Sequence, residues 1–174
     1  MKRTAALALL LGCVLATPSY AALKPGDAAP DFTAKAALGG EEFSFSLANA
    51  LKKGPVVLYF FPKAFTSGCT AEAHAFSTAI GQFKKEGAQV IGMSGDNLAT
   101  LHDFSTKECR SAFPVATATP EIQKGYDVAW AAHPGITTRT SYVIGKDGKV
   151  AMVHDDLNFA EHVSKTLAAV KALK

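Results

Sequence analysis

The run Val56-Val57-Leu58-Tyr59-Phe60-Phe61-Pro62 places the strongest constraint on the fold. Six consecutive apolar residues, β-branched and aromatic, read as a buried strand, and the proline stops it. After a short connection the chain continues Ala71-Glu72-Ala73-His74-Ala75-Phe76-Ser77-Thr78-Ala79-Ile80, which is rich in helix formers. Cys69 lies at the handover from strand to helix. Backbone N–H groups without helical partners and the helix dipole favour an anion at that place, so the location predicts a thiol with a depressed pKa, readily ionised to the reactive thiolate. The alternative is a cysteine that merely fills the core.

Strands and helices alternate along the rest of the chain. A strand is expected over Glu42–Ser46, followed by a turn of helix over Leu47–Leu51. The helix after Cys69 is expected from about Thr70 to Lys85, ending at Gly87. Gln89–Ser94 reads as the next strand. Leu98 to about Glu108 reads as a helix capped by Asp96 or Asn97. Thr119-Pro120 opens a short helix to Tyr126. Thr140–Ile144 and Lys149–His154 form a hairpin around Lys146-Asp147-Gly148. A last helix starts near Asn158 and carries an apolar stripe of Phe159, Val163, Leu167 and Val170. The pattern predicts an α/β fold with a mixed central sheet flanked by helices.

The first residues read as a targeting segment. Lys2 and Arg3 precede the apolar run Ala5–Ala16, and Ser19-Tyr20-Ala21 supplies small residues for cleavage. Residues 1–21 are therefore expected to be a signal peptide and residues 22–174 the folded domain, placed in the periplasm or secreted. The segment is too short to span a membrane. Lipid anchoring through Cys13, in Leu10-Leu11-Gly12-Cys13, is the lesser alternative, because the residues that follow it stay apolar. The chain carries 18 Lys+Arg and 15 Asp+Glu; without Lys2 and Arg3 that leaves 16 against 15. So even a balance gives no reason to expect a nucleic-acid or membrane-surface partner. Of the three cysteines, Cys69 and Cys109 outlast processing, and an oxidising compartment permits a disulfide between them.

The segment Pro62-x-x-x-Thr66-x-x-Cys69 resembles the active-site motif of peroxiredoxins. The longer string Tyr59 to Glu72 is similar to the bacterioferritin-comigratory-protein/PrxQ branch of the AhpC/TSA family. Gly26-Asp27-Ala28-Ala29-Pro30-Asp31-Phe32 looks like the family's opening, Val90 to Asp96 like its second core strand, and Arg139 to Ile144 with Asp147-Gly148 like its late arginine and hairpin. The match runs over nearly all of the chain from Lys24 onward.

The resemblance implies a thioredoxin-like fold and a thiol peroxidase that reduces hydrogen peroxide and small organic hydroperoxides. It implies no cofactor and no metal, a thioredoxin-like or other thiol reductant, and a monomer or weak dimer. Carried over position by position, it makes Cys69 the attacking sulfur. Thr66 binds the thiolate or the peroxide, Pro62 rigidifies the approach and Arg139 supplies a cation beside the sulfur. Glu72 is expected to orient Arg139. Read without the family, Thr66 is equally a helix cap, Pro62 a strand terminator, Arg139 a surface arginine and Glu72 an acid favoured by the helix dipole.

Two departures stand out. Ser67 replaces a common proline. His74 occupies the place, five residues after Cys69, where many relatives have a second cysteine. Cys109, near the end of the next helix and about one turn from that helix's usual cysteine site, is the candidate resolving cysteine; the alternative is a partly buried thiol. Other exported proteins of the same fold carry electrons or copper through Cys-x-x-Cys or Cys-x-x-x-Cys, and Thr70 to Ala73 exclude both patterns. A non-catalytic binding module is the remaining alternative. His102, His133, His154 and His162 fall at no metal-ligand spacing, and His154-Asp155-Asp156 reads as a solvated turn.

Overall fold

The computed structural model describes residues 23–173. The targeting segment, Cys13 and the expected cleavage after Ala21 lie outside them. Seven strands form one mixed sheet: β1 (Thr33–Leu38), β2 (Glu41–Ser46), β3 (Val56–Phe60), β4 (Gln89–Ser94), β5 (Val115–Thr117), β6 (Thr140–Ile144) and β7 (Val150–Asp155). Their spatial order is β2-β1-β5-β4-β3-β6-β7. β3 pairs in parallel with β4 and antiparallel with β6, so the expected buried strand is the centre of the mixed sheet. All five of its residues are buried.

Period-two geometry splits β3 between two cores. Val56, Leu58 and Phe60 face one side, with Leu47 and Ala50 of α1 (Leu47–Leu51) and Ile122 of α4 (Pro120–Gly125). Val57, Tyr59 and Phe61 face the other. There they meet α2 (Ser67–Lys85), α3 (Leu98–Lys107) and α5 (His162–Ala172). This second core contains both Cys69 and Cys109.

Several expectations shift. β1 and β5 did not register in the sequence; β1 carries a polar–apolar mixture rich in alanine, and β5 has three residues. α2 begins at Ser67 instead of about Thr70, which puts Cys69 inside its first turn. The turn reading of His154 and Asp155 is corrected: both belong to β7, because they pair with Ser141 and Thr140 of β6. The last helix splits into a 3-10 turn (Phe159–Glu161) and α5. Its buried stripe is His162, Thr166, Leu167 and Val170, with Val163 only partly covered.

Candidate active site

Pro62 to Cys69 bridges β3 and α2, and neighbouring elements hold it in place. The Phe61 N–H donates to Met93 O at 2.9 Å, and Thr137 Oγ1 donates to Phe61 O at 2.8 Å. Asp96, just past β4, accepts the Ala64 N–H at 2.7 Å and the Ser94 hydroxyl at 2.9 Å. Phe65 has φ of 63°, a left-handed conformation uncommon outside glycine. Its half-exposed ring lies edge-on to Phe104 of α3 at 5.2 Å, and Phe104 also stacks on Phe61 at 5.3 Å. The bend that presents Cys69 thus rests on the same helix that leads to Cys109.

Thr66 stands at the N-cap of α2 but does not cap it with its side chain. Its hydroxyl donates to Lys63 O at 2.9 Å. That turns the oxygen's lone pairs outward, free to accept. The first helical bond is Thr70 N–H to Thr66 O at 2.9 Å, which leaves the N–H groups of Ser67, Gly68 and Cys69 without helical partners. Cys69 is 1% exposed.

Arg139, immediately before β6, reaches this helix end. Its Nη2 donates toward Cys69 Sγ at 3.5 Å. Its Nη1 bonds Glu72 Oε2, and its Nε donates to Leu157 O at 2.8 Å. Gly68 leaves room for the approach: a Cβ there would lie 3.2 Å from Nη2, a tight contact. The structure therefore gathers Cys69, Glu72 and Arg139 into one cluster at the end of α2 that starts from Thr66, and turns the surface reading of Arg139 aside, since that residue is buried. Burial pushes the Glu72 carboxyl up to about 8, with Arg139 opposing the shift.

Cys109 is elsewhere in the same core. It follows the C-terminal end of α3 and is wholly buried. Cys69 and Cys109 are both free thiols. Burial, aided by the Glu108 charge, pushes the Cys109 thiol well above its ordinary value. His74 Nε2 bonds Glu108 Oε2 at 2.9 Å, so α2 meets the end of α3 at the helical level of His74. That level lies roughly 7.5 Å along the helix axis from Cys69. Arg110 and Ser111, next in sequence, have φ of 53° and 56°. Two successive non-glycine residues in this region mark strained backbone directly beside Cys109.

Sequence reasoning missed two groups here. His162 is fully buried, its Nδ1 3.7 Å from Glu72 Oε1. Tyr59 has a buried hydroxyl without a hydrogen-bond partner. A histidine inside an apolar helical stripe was the available signal for the first. A cavity of about 440 Å³ lies against β2, α1 and the far end of α2, and none of its lining residues belongs to Pro62–Cys69.

Comparison with known proteins identifies the family and the fold. The model of the AhpC/TSA family matches residues 25–153. The chloroplastic peroxiredoxin Q of Arabidopsis thaliana is 35% identical over 154 residues, spanning 88% of this chain and 69% of the relative. That of Sedum lineare is 32% identical over 156 residues, 89% of this chain and 82% of the relative. The crystal structure of the peroxidoxin BcpB from Mycobacterium tuberculosis superposes with a TM-score of 0.78 at 29% identity, covering 87% of this chain and 99% of the other. Peroxiredoxin Q of Xanthomonas campestris gives 0.69 at 28% identity, covering 79% and 89%. The mixed sheet with its flanking helices is thus the thioredoxin-like fold of these proteins.

Proposed function

The chain belongs to the AhpC/TSA family and is a peroxiredoxin, a thiol peroxidase, and we propose that Cys69 is its peroxidatic cysteine, served by Thr66, Pro62 and Arg139. The observation that carries this assignment is the Arg139 guanidinium 3.5 Å from a sulfur on the first turn of α2. A permanent cation and three free N–H groups stabilise the thiolate and, later, the charge on the departing oxygen. Thr66 Oγ1, its own proton engaged by Lys63 O, accepts the peroxide O–H. Pro62 adds a rigid bend with no N–H to satisfy.

In the step itself the Cys69 thiolate attacks the terminal peroxide oxygen. The S–O bond forms as the O–O bond breaks; the terminal oxygen keeps its hydrogen, and the departing alkoxide or hydroxide takes a proton from solvent. Cys69 becomes sulfenic acid. The Cys109 thiol then condenses with it, releasing water and forming a disulfide that a thioredoxin-like dithiol reduces. This closure needs Cα atoms within about 7 Å. The strained Arg110–Ser111 segment and the end of α3 are where the chain opens to allow it. Hydrogen peroxide and small organic hydroperoxides are the substrates, consumed by a monomer or weak dimer in the periplasm or outside the cell after removal of residues 1–21.

The test of the nucleophile is peroxide consumption by Cys69→Ser; retained turnover would overturn the assignment. One equivalent of peroxide followed by thiol blocking and peptide mapping tests the second step. A Cys69–Cys109 linked peptide supports it. Oxidised Cys69 with alkylated Cys109 would make this a one-cysteine enzyme. N-terminal sequencing of exported protein tests the processing: a start at Ala22 is expected, and a lipid-modified Cys13 would overturn it.

A further inference from the structure

Behind Arg139 the hydrogen bonds do not add up, and the deficit is one proton. His162 Nε2 lies 2.9 Å from Asp156 O, a carbonyl that can only accept, so Nε2 carries the hydrogen. In the neutral ring Nδ1 is then an acceptor, and Ser141 Oγ, at 2.8 Å, donates to it. Glu72 Oε1 faces this same Nδ1 at 3.7 Å. Oε1 is buried and has no hydrogen-bond partner. Two buried acceptors therefore confront each other at 3.7 Å. An unpaired buried carboxylate oxygen is expensive, and a single proton between Oε1 and Nδ1 removes the cost.

We propose that Glu72 and His162 form a buried proton-holding pair whose occupancy sets how much of the Arg139 charge is left for the Cys69 thiolate, which makes His162 a positioning residue for peroxide reduction. The proposal rests on Cys69 being the nucleophile. With the proton in place, Glu72 is neutral and the guanidinium charge is directed at the sulfur. With the proton gone, Glu72 offsets that charge through Oε2, and the sulfur loses stabilisation. Arg139 is a fixed cation and passes no proton; it transmits only charge.

The surroundings are consistent with a proton on Glu72. The charged or titratable groups that face the carboxyl are Arg139, Cys69 on its own helix, Tyr59 from β3 and His162 from α5. His162 is faced by His154 of β7, whose ring is 4.5 Å away, and by Asp156 and Arg139. Burial, with His154 and Arg139 adding to it, lowers the imidazole to about 4 while the carboxyl is raised to about 8. Closing the 3.7 Å gap by about 1 Å gives a normal O–H···N bond.

Infrared titration of the reduced full-length protein tests the proposal directly. A carboxylic-acid carbonyl band is expected at neutral pH, fading as pH rises through about 8 and missing in Glu72→Gln. Alkylation of Cys69 against pH should show a second inflection that coincides with the fading of the band. Glu72→Gln, permanently neutral, should lose that inflection and alkylate faster than the natural protein above it. His162→Asn, which offers Glu72 a fixed amide donor, should lose the inflection too. Absence of a titrating carboxylic-acid band overturns the proposal even if the His162 variant fails to fold. So do alkylation profiles in both variants that superimpose on the natural one. Neither readout uses peroxide turnover, so failure of Cys69 as nucleophile would appear separately, as activity in Cys69→Ser.

Discussion

Cys69 and Cys109 are equally hidden from solvent, sit in the same hydrophobic core and differ in nearly everything else. Cys69 is on the first turn of α2, where the dipole is positive, with Arg139 at 3.5 Å. Cys109 follows the last turn of α3, where the dipole is negative, beside Glu108 and among aromatic side chains. Burial alone makes a thiol inert, as at Cys109, where it holds the proton on the sulfur. Burial against an oriented cation and free N–H groups, as at Cys69, is the setting a protected nucleophile needs. The sign of the charge at the helix end, more than accessibility, divides the two sites.

The largest way to break this comparison is to remove the proposed nucleophile: Cys69→Ser should drop peroxide consumption to background in a stopped-flow assay, while Cys109→Ser should still oxidise Cys69 and accumulate sulfenic acid in place of the disulfide. Next comes the cation. Arg139→Ala should slow peroxide attack by about 10²–10³-fold, the usual cost of losing one preorganised donor to developing charge. It should also narrow the difference between the two thiols in alkylation rate, and unchanged rates would remove Arg139 from the chemistry. Phe104→Ala strikes what the two regions share, because its ring supports both Phe61 and Phe65. A loss of about 3–5 kcal/mol in urea unfolding is expected, with slower peroxide attack in the fraction that folds.

A smaller effect follows from the carboxyl behind Cys69. The folded chain keeps a proton on Glu72 up to about 8, whereas an unfolded one releases it near 4.5. Stability from this group is present at low pH and lost as pH rises through 8. His162 acts in the opposite sense between about 4 and 6.5, where the unfolded chain binds the proton more tightly. The two offset each other between 4.5 and 6.5, and the Glu72 slope is left alone from 6.5 to 8. Urea midpoints should be level across the first window and fall across the second, and Glu72→Gln should abolish the fall. The smallest expected change is beside Cys109. Arg110→Gly relieves a left-handed residue with φ of 53° and should stabilise the fold by up to about 1 kcal/mol.

Much was legible in advance because it is local. The apolar run of β3, the proline that ends it and the helix formers after Cys69 are properties of neighbouring residues, and short-range sterics and hydrophobic burial act on neighbours. The sequence narrows the start of α3 to a cap at Asp96 or Asn97, of which Asn97 accepts the N–H three residues on, and Thr119-Pro120 reads as opening α4, where Thr119 accepts likewise. The motif Pro62, Thr66, Cys69 lies within one bend of the chain.

Arg139 is 70 residues from Cys69, and the antiparallel pairing of β6 with β3 carries it to the helix end. Nothing in the sequence spacing encodes that meeting. The same holds for Asp96 beneath Ala64, 32 residues away, and for Phe104 beneath Phe65. His162 was hidden for a different reason: one polar residue in an apolar stripe gives no sign of what it will face, and its partner depends on how α5 packs on α2. The sequence by itself determined which residue could be a nucleophile and that its helix end would favour an anion. Only the tertiary structure decided which cation meets the sulfur, that the second thiol is shut away beside strained backbone, and that a carboxylate and an imidazole confront each other one proton short. Those outcomes depend on long-range packing, where contact partners are set by the closed sheet and the helices laid across it.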